Sequence, residues 1–399
     1  MAMAMATAGI ATANATNAAA GSLCGATTDR PIAVIGAGIA GLTCASTLAD
    51  NGFKVCVFDA GRGSGGRMAQ RRESTAEGQT LCFDHGAQYF TVEDPVVLQL
   101  VEKWKMAGTV KEWLGHFGAL DITSRTFMEE TDSGKKRYVG VPGMNAICKA
   151  LSSKLGVESK FGTTVTKVEW REEEGYWQLK SKNGQIAGEF CALVIADKSL
   201  ASARFTGQTG LAPPLGDAEV PSLSSRVATV SVVPCFAAML AFHESLTTIP
   251  LDGLTILNSK VLAWAARDSS KPDRKISLGG NCECWVLHST VEYAETVISR
   301  AGLVKPSEEL LASIALDLLE EFQNVIPGLP DPCFIKAHRW GGAFPTKFVA
   351  PEEKCILVEE KRIVACGDYC LGPRVECAIL SGLAAANNLL QVLKTVAWM

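Results

Sequence analysis

The sequence IGAGIAG at residues 35–41 decides the fold, because it joins an apolar run at residues 31–35 to a segment with helical spacing at residues 42–51. A second apolar run follows at residues 54–58 and is closed by Asp59. This order predicts a strand–helix–strand unit. Its first glycine allows a tight turn, its second lets the backbone approach a diphosphate, and its third lets the helix pack closely on the strand. The N–H groups at the helix start would bind the phosphates, and Asp59 would accept hydrogen bonds from an adenosine ribose.

Two further elements favour FAD over NAD as the dinucleotide. The sequence GGRM at residues 65–68 brings a second glycine pair, which lets another backbone segment approach the same diphosphate. Arg67 supplies a fork-shaped cation, either for phosphate or for ordering that loop. Near the other end of the chain, Asp368 follows a predicted strand at residues 362–366 and precedes a predicted helix at residues 375–393. A carboxylate at that point suits the ribityl chain of a flavin.

Strand patterns elsewhere predict how the chain returns to the first sheet. Residues 163–170 and 176–182 alternate in polarity around a turn, and residues 189–196 predict a third strand. The uncharged run at residues 227–242 is too short to cross a membrane and contains Pro234, so it predicts two adjacent strands. We predict no transmembrane helix.

The middle of the chain, about residues 203–339, has a different pattern of predicted secondary structure. It contains long β-type stretches and one clear helix that begins at Pro306. The apolar stripe of that helix predicts core packing, through Leu310, Leu311, Ile314, Leu318, Leu319 and Phe322. The predicted fold is therefore α/β, with a Rossmann-type FAD-binding domain built from both chain ends and an interposed α+β substrate domain. The FAD-binding domain would comprise residues 30–95, 140–202 and 341–399, and the substrate domain residues 96–139 and 203–340.

Composition excludes several classes of function. The chain has 399 residues with a formal net charge of −4, so it has no electrostatic footprint for nucleic acid or an anionic membrane. Its 14 cysteines are scattered and include no C-x-x-C pair, which predicts a reducing compartment and no metal site. The first 28 residues carry no charged side chain and are rich in Ala and Thr. Residues 1–29 therefore predict a transit peptide for the chloroplast, with a disordered terminus on a cytoplasmic protein as the alternative.

The chain resembles the renalase-type flavoproteins, a branch of the amine-oxidase and p-hydroxybenzoate-hydroxylase superfamily, from about residue 31 to residue 393. The matching stretches keep their order and are SGGRM (64–68), DHGAQYFT (84–91), VPGMN (141–145), VLHST (286–290), IPGLP (326–330), HRW (338–340) and GD (367–368). This chain departs from the family's pattern at residues 196–199, which read ADKS, and at Gly341-Gly342. Both departures lie near the expected substrate cavity.

The resemblance implies non-covalent FAD and a set of residues that hold it. That set is Gly36, Ala37, Gly38, Ile39, Ala40, Gly41, Asp59, Gly66, Arg67, Met68, Gly86, Ala87, Gln88, Tyr89, Val165 (through its backbone, near the adenine), Gly367 and Asp368. Gln88 and Tyr89 would border the isoalloxazine, with ordinary loop packing as the alternative. A covalent thioether between the flavin and Cys366 or Cys370 is a further alternative. The opposing interpretation is that both cysteines are simply packing thiols.

The resemblance also implies an oxidase that takes a hydride from a small substrate, such as reduced or isomeric NAD(P)H, to flavin N5, with molecular oxygen as the acceptor. His288 and Trp340 are the candidates for lining the substrate face, although a structural histidine and a core tryptophan are open alternatives. Two other functions stay open as well. One is an amine oxidase or a desaturase that acts on a lipophilic metabolite, and the other is a non-catalytic FAD-binding interaction protein.

Overall fold

The computed structural model describes residues 30–75, 77–131, 134–216, 220–274, 282–302 and 304–397. The predicted transit peptide, residues 1–29, lies outside them. The strands are β1 (Ile32–Ile35), β2 (Val55–Asp59), β3 (Gln70–Ser74), β4 (Thr80–Asp84), β5 (Val110–Glu112), β6 (Phe117–Asp121), β7 (Thr126–Glu129), β8 (Tyr138–Gly140), β9 (Val157–Phe161), β10 (Val165–Arg171), β11 (Tyr176–Ser181), β12 (Ile186–Phe190), β13 (Ala192–Ile195), β14 (Val232–Phe242), β15 (Gly253–Leu257), β16 (Leu262–Arg267), β17 (Glu283–Ser289), β18 (Phe334–Pro345), β19 (Ile356–Val358) and β20 (Ile363–Ala365). The α-helices are α1 (Ile39–Asp50), α2 (Pro95–Met106), α3 (Ala146–Ser152), α4 (Ala203–Thr209), α5 (Pro221–Ala228), α6 (Val291–Ala301), α7 (Glu308–Val325) and α8 (Val375–Ala397).

A six-stranded sheet forms the centre of the predicted Rossmann-type domain. Its strand order is β19-β20-β13-β1-β2-β9, and all neighbours run parallel except β19 and β20. Alternate residues of β1 enter different cores, since Val34 packs with helices α1, α3 and α8, whereas Ala33 packs with β10 and β11. Cover on both faces explains why these short strands are continuously apolar. The predicted fold class is confirmed.

Both ends of the described chain meet in this domain, because α8 packs directly against α1. A Cβ atom at Gly382 of α8 would lie 2.3 Å from the Ala40 carbonyl oxygen of α1, so the two helices touch through their backbones. Within α8, Val375–Thr395 has the length and hydropathy of a membrane-spanning helix, but half of that window is buried inside the protein. A core helix of a folded domain has the same properties, so this is weak evidence for a membrane span.

A seven-stranded sheet, in the order β18-β14-β17-β16-β15-β6-β7, forms the second large unit. One face packs on α6 and α7 through Trp285, Leu318 and Phe322, and this confirms the predicted core stripe of α7. The other face meets β4 through Met239 and Val286. Its strands lie in the predicted substrate segments except for the end of β18, while the predicted division into two domains stays a prediction.

Three details of the predicted elements are wrong. Residues 227–242 contain the end of α5 and one long strand, β14, because Pro234 lies at a register break between Val233 and Cys235 and does not interrupt the strand. Residues 189–196 are shared between β12 and β13, which belong to different sheets. Helix α7 begins at Glu308 and is capped by Ser307, so Pro306 precedes it, and α4, α5 and α6 were not predicted.

Candidate functional site

The turn between β1 and α1 makes the close contacts that its glycines predict. Gly36 has a φ of +114° and donates its N–H to the Phe58 carbonyl at 2.8 Å. A Cβ atom at Gly41 would lie 2.1 Å from the Gly36 carbonyl oxygen, so only glycine lets the helix come this near the strand. Beside Gly38 a Cβ would meet no described atom within 4 Å, and no described side chain caps α1 there. Backbone N–H groups at a helix start that faces open space suit a phosphate.

Asp59 closes β2 and is held by backbone donors. Its Oδ2 accepts from the Ala37 N–H and its Oδ1 accepts from the Gly61 N–H, both at 2.7 Å. Burial raises the pKa of Asp59, although these two donors act in the opposite direction. The Thr163 N–H donates to the Asp59 carbonyl at 2.9 Å, which brings the start of β10, and with it Val165, to the same end of the sheet.

The second glycine pair lies against the first turn. Gly65 donates its N–H to the Ala37 carbonyl at 2.9 Å. A Cβ atom at Gly66 would lie 3.4 Å from the Gly38 Cα, and Gly66 has a φ of +54°. Two backbone segments therefore border the space beside Gly38. The other predicted residues of this region are buried around it: Ile39, Ala40 and Met68.

Arg67 and Asp368 form a two-point ion pair across 301 residues of sequence. Arg67 Nη1 and Nη2 donate to the two Asp368 carboxylate oxygens at 2.5 and 2.6 Å, and Nη1 also donates to the Ala343 carbonyl at 3.0 Å. The Asp368 side chain is 5% exposed, so its charge is compensated inside the protein. This geometry supports the loop-ordering role of Arg67. Next to Asp368, the Gly367 N–H donates to Ser381 Oγ at 2.9 Å.

The predicted segment at residues 86–89 is fixed to the same arginine loop. The Ala87 N–H donates to the Arg67 carbonyl at 2.9 Å, and a Cβ atom at Gly86 would lie 2.0 Å from that carbonyl oxygen. Gln88 is buried; its Nε2 donates to the Asp84 carbonyl and its Oε1 accepts from Lys271 Nζ at 3.1 Å. Both polar atoms of the Gln88 amide are therefore already hydrogen-bonded within the protein, on whichever side of the ligand Gln88 lies.

These contacts fit FAD. The glycine turn and the approach of Gly66 form a backbone cradle for a diphosphate, and Asp59 retains acceptor capacity for ribose hydroxyls. The structure places the predicted residues of the first turn, the second glycine pair and the Arg67–Asp368 pair together along one edge of the sheet. It also reveals groups around them that the sequence alone did not indicate.

The first such group is a buried ion cluster formed by Asp84, Asp268, Lys271 and Arg274. Lys271 Nζ lies 2.5 Å from Asp268 Oδ1 and 3.4 Å from Asp84 Oδ2, and Arg274 Nη2 donates to the same Asp84 oxygen. All four side chains are at most 4% exposed. Two acids and two bases compensate one another, as burial requires. Because Asp84 precedes residues 86–89 and Lys271 binds Gln88, the cluster anchors that segment.

His288 and Trp340, the predicted substrate-face residues, meet at one carbonyl group. His288 Nε2 lies 3.1 Å from the His85 carbonyl oxygen, and Trp340 Nε1 donates to the same oxygen at 2.9 Å. The His85 ring lies 4.8 Å from the rings of both His338 and Trp340, measured between centroids. The two residues thus hold the backbone beside Gly86. His85, His288 and His338 form a histidine cluster, and the Trp340 ring packs against His85 and His338.

The histidine cluster is neutral near pH 7. Burial lowers the pKa of His85 to about 3 and the pKa of both His288 and His338 to about 4. The His85 Nδ1 atom is buried and has no hydrogen-bond partner among the described residues. Imidazoles with such pKa values are weak bases, so this side of the site does not supply a strong proton acceptor.

Aromatic side chains line the neighbouring space around Tyr89. The Tyr89 ring lies 5.9 Å from Trp264, 6.1 Å from Phe117 and 6.3 Å from Trp113. Trp264 of β16 is paired in register with His288 of β17, so both side chains stand on one face of the seven-stranded sheet. This aromatic wall, defined as Tyr89, Trp113, Phe117 and Trp264, joins the histidine cluster. No sequence motif connects its members.

Cys366 and Cys370 are both fully buried. A hydrogen bond with Cys44 and burial raise the pKa of Cys366 well above its ordinary value, and burial raises the pKa of Cys370 to about 12. Both are therefore protonated thiols within packed cores, which supports the packing interpretation over a flavin thioether.

Comparisons with known proteins agree with this geometry. Residues 34–104 match the NAD(P)-binding Rossmann-like domain, and residues 112–390 match the flavin containing amine oxidoreductases. Renalase of Mus musculus is 21% identical over 340 residues, which cover 84% of this chain and 91% of that protein. Protoporphyrinogen oxidase 2 of Arabidopsis thaliana, named as chloroplastic/mitochondrial, is 30% identical over 154 residues, 37% of this chain. That match spans only 26% of the Arabidopsis protein.

Solved structures share the fold. A protein from Exiguobacterium sp. 255-15 that is named as a protoporphyrinogen oxidase superposes with a TM-score of 0.65 at 11% identity, covering 91% of this chain and 99% of the other. A putrescine oxidase bound to putrescine superposes with a TM-score of 0.60 at 13% identity and the same coverage. At such identities the likeness concerns the fold alone.

Proposed function

Because the chain belongs to the family of flavin-containing amine oxidoreductases, and is therefore an FAD-dependent oxidoreductase, we propose that it is an oxidase of the renalase type. Its substrate would be a small dihydronicotinamide, such as reduced or isomeric NAD(P)H, and its electron acceptor molecular oxygen. The chemistry that bound FAD supplies is acceptance of a hydride at N5 and return of two electrons to oxygen.

The neutral histidine cluster is the observation that supports this proposal most. His85, His288 and His338 all have pKa values lowered by burial to about 3 or 4, so they remain uncharged and weakly basic. A dihydronicotinamide releases its hydride without first losing a proton, so its oxidation needs no strong base. What the protein must supply is a fixed position for the flat ring, and Tyr89 and Trp264, the partly exposed members of the aromatic wall beside His288, offer flat aromatic faces for it.

A second function is favoured by the same aromatic wall. Tyr89, Trp113, Phe117 and Trp264 form an apolar surface that would also suit a lipophilic metabolite undergoing desaturation, or an amine with an apolar body. Relatives named as protoporphyrinogen oxidase and putrescine oxidase share the fold.

Anaerobic reduction separates the two functions. The full chain with its FAD is mixed, without oxygen, with NADH, NADPH, their isomeric dihydronicotinamides, putrescine or a porphyrinogen, and the oxidised flavin absorbance is followed. We expect bleaching by at least one dihydronicotinamide, followed by recovery of the absorbance and formation of hydrogen peroxide when air is admitted. Bleaching by the amine or the porphyrinogen alone would assign the second function. A flavin that none of these compounds bleaches would contradict both.

We also propose that residues 1–29 direct the chain to the chloroplast. Residues 1–28 carry no charged side chain and are rich in Ala and Thr, and this composition supports a transit peptide. The Arabidopsis relative is named as chloroplastic/mitochondrial. The full chain fused to a fluorescent protein should accumulate in chloroplasts of plant cells, and the same fusion beginning at residue 30 should remain outside them. Equal distribution of the two fusions would argue against a transit peptide.

A further inference from the structure

Ala196 and Asp197, which begin one departure from the family's pattern, lie against the dinucleotide turn. A Cβ atom at Gly36 would lie 3.0 Å from the Ala196 carbonyl carbon and 3.2 Å from the Asp197 nitrogen. Lys198 follows at once and is only partly exposed. Its ammonium group interacts with the charges of Arg67, Asp368 and Arg204. Lys198 therefore directly follows residues that contact the first turn, and its charge interacts with the Arg67–Asp368 pair.

Arg204 of α4 reaches the same place from another element. Its Nη1 lies 2.9 and 2.8 Å from the positions that Cβ atoms at Gly341 and Gly342 would occupy. Its guanidinium thus fills the space that side chains at these two positions would need. Arg67 donates to the carbonyl of Ala343, the next residue along β18. Both guanidinium groups therefore rest on one short stretch of backbone, residues 341–343.

The charges in this region are unequally compensated. Asp368 accepts both ends of the Arg67 fork. The other acid that interacts with Arg204 and Lys198 is Asp197, which is exposed and whose Oδ1 accepts from the Ser199 N–H at 2.9 Å. Burial and then the positive charge of Arg67 lower the pKa of Lys198 to about 8. Lys198 and Arg204 are partly buried cations, and both are repelled by the positive charge of Arg67. An anionic ligand among these groups would therefore stabilise their charged forms.

We propose that Lys198 and Arg204 bind a phosphate group at the dinucleotide turn, and that this group belongs to the FAD diphosphate. The backbone of Ala196 and Asp197 contacts Gly36, where the glycine cradle receives a diphosphate, and Lys198 is the next residue, which favours FAD as the source. The same chemistry would suit the phosphate of a nucleotide substrate. The two sources are distinguished by measuring flavin retention and substrate binding separately.

The double substitution of Lys198→Met and Arg204→Gln is compared with Lys103→Met and Arg300→Gln, which removes two cations from exposed helix positions. Release of FAD from the full holoprotein is followed by the rise of flavin fluorescence on dilution, without any substrate. We expect the dissociation constant for FAD to rise by about tenfold or more in the first double variant, and by less than about twofold in the control. Salt should weaken FAD binding less in the first double variant than in the wild type.

The second arm uses anaerobic titration of the holoproteins with NADPH and with an uncharged N-benzyl dihydronicotinamide. Unchanged FAD retention with weaker binding of NADPH alone would assign the phosphate site to the substrate. Unchanged FAD retention and unchanged binding of both compounds would overturn the proposal. The charge-conserving pair Lys198→Arg and Arg204→Lys should keep most of the FAD affinity, and circular dichroism checks that every variant is folded. Flavin release does not depend on turnover, so this result is independent of the proposed reaction.

Discussion

Replacing Gly41 by alanine is expected to lower the free energy of unfolding by about 3 kcal/mol and to leave the purified chain largely without FAD. The added Cβ would lie 2.1 Å from the Gly36 carbonyl oxygen and 2.9 Å from the Ala196 Cβ. Neither neighbour can move easily, because one is backbone in the turn and the other follows the buried strand β13. Helix α1 would therefore shift away from β1, and its N–H groups would no longer lie beside Gly38. Urea denaturation and the ratio of flavin to protein absorbance measure the two effects.

A matched control is Gly207→Ala, since Gly207 is also a helical glycine. A Cβ atom there would meet no described atom within 4 Å, and its backbone does not have a positive φ. Alanine is favoured over glycine inside a helix by about 1 kcal/mol, so this variant should be as stable as the wild type or slightly more stable. If Gly41→Ala were as stable as Gly207→Ala and kept its FAD, the close approach of α1 to β1 would not be required.

Acidification from pH 7 to pH 5 is expected to destabilise the fold steeply, through His85, His288 and His338. Their pKa values in the folded protein are about 3, 4 and 4, below the ordinary 6.5 that they regain on unfolding. Between pH 6.5 and pH 4 the unfolded chain therefore binds protons that the folded chain does not. Stability rises with pH in this window and is lost as the pH falls, by up to about 1.4 kcal/mol per pH unit for each histidine. Urea denaturation at half-unit intervals of pH gives the slope.

Single substitutions identify the source of that slope. His338→Phe should reduce it by the share of one histidine. His116→Gln is the control, since His116 is exposed and its hydrogen bond to the Glu129 carboxylate raises its pKa, so it contributes with the opposite sign. Its removal should leave the steep acid-side loss in place. A free energy of unfolding that stays constant from pH 7 to pH 5 would mean that the three histidines take up protons over the same pH range in the folded protein as in the unfolded chain.

The glycine turn shows what the sequence is able to predict. The structure of this turn is determined by nearby residues, since strand, turn, helix and second strand follow one another within about thirty residues. Each residue type in it is required for one physical reason. The β14 region shows the opposite case. The prediction of two strands rested on Pro234 as a strand breaker, but the lost N–H falls at a register break where no partner is needed. Only the pairing with β18 reveals that.

The sequence predicted individual residues of the candidate site but not the contacts between them. Arg67 was predicted to bind phosphate or to order its loop and Asp368 to bind the ribityl chain, and the structure pairs the two side chains with each other. Trp113 and Trp264 lie on separate segments with no motif around them, so no local pattern indicated that they surround Tyr89. Arg204 reaches this region only because Gly341 and Gly342 leave room for its guanidinium. Each of these contacts depends on the arrangement of distant elements.

The packing of α8 on α1 has a consequence for the order of events when the chain is made. The glycine turn leaves the ribosome early, but Asp368 leaves it 301 residues after Arg67, and the helix that covers α1 follows later still. A nascent chain that has reached only residue 360 has no carboxylate for Arg67 and an uncovered apolar face on its first helix. We therefore expect FAD capture to follow the synthesis of α8, and a chain cut short before α8 to be recognised as unfolded and degraded.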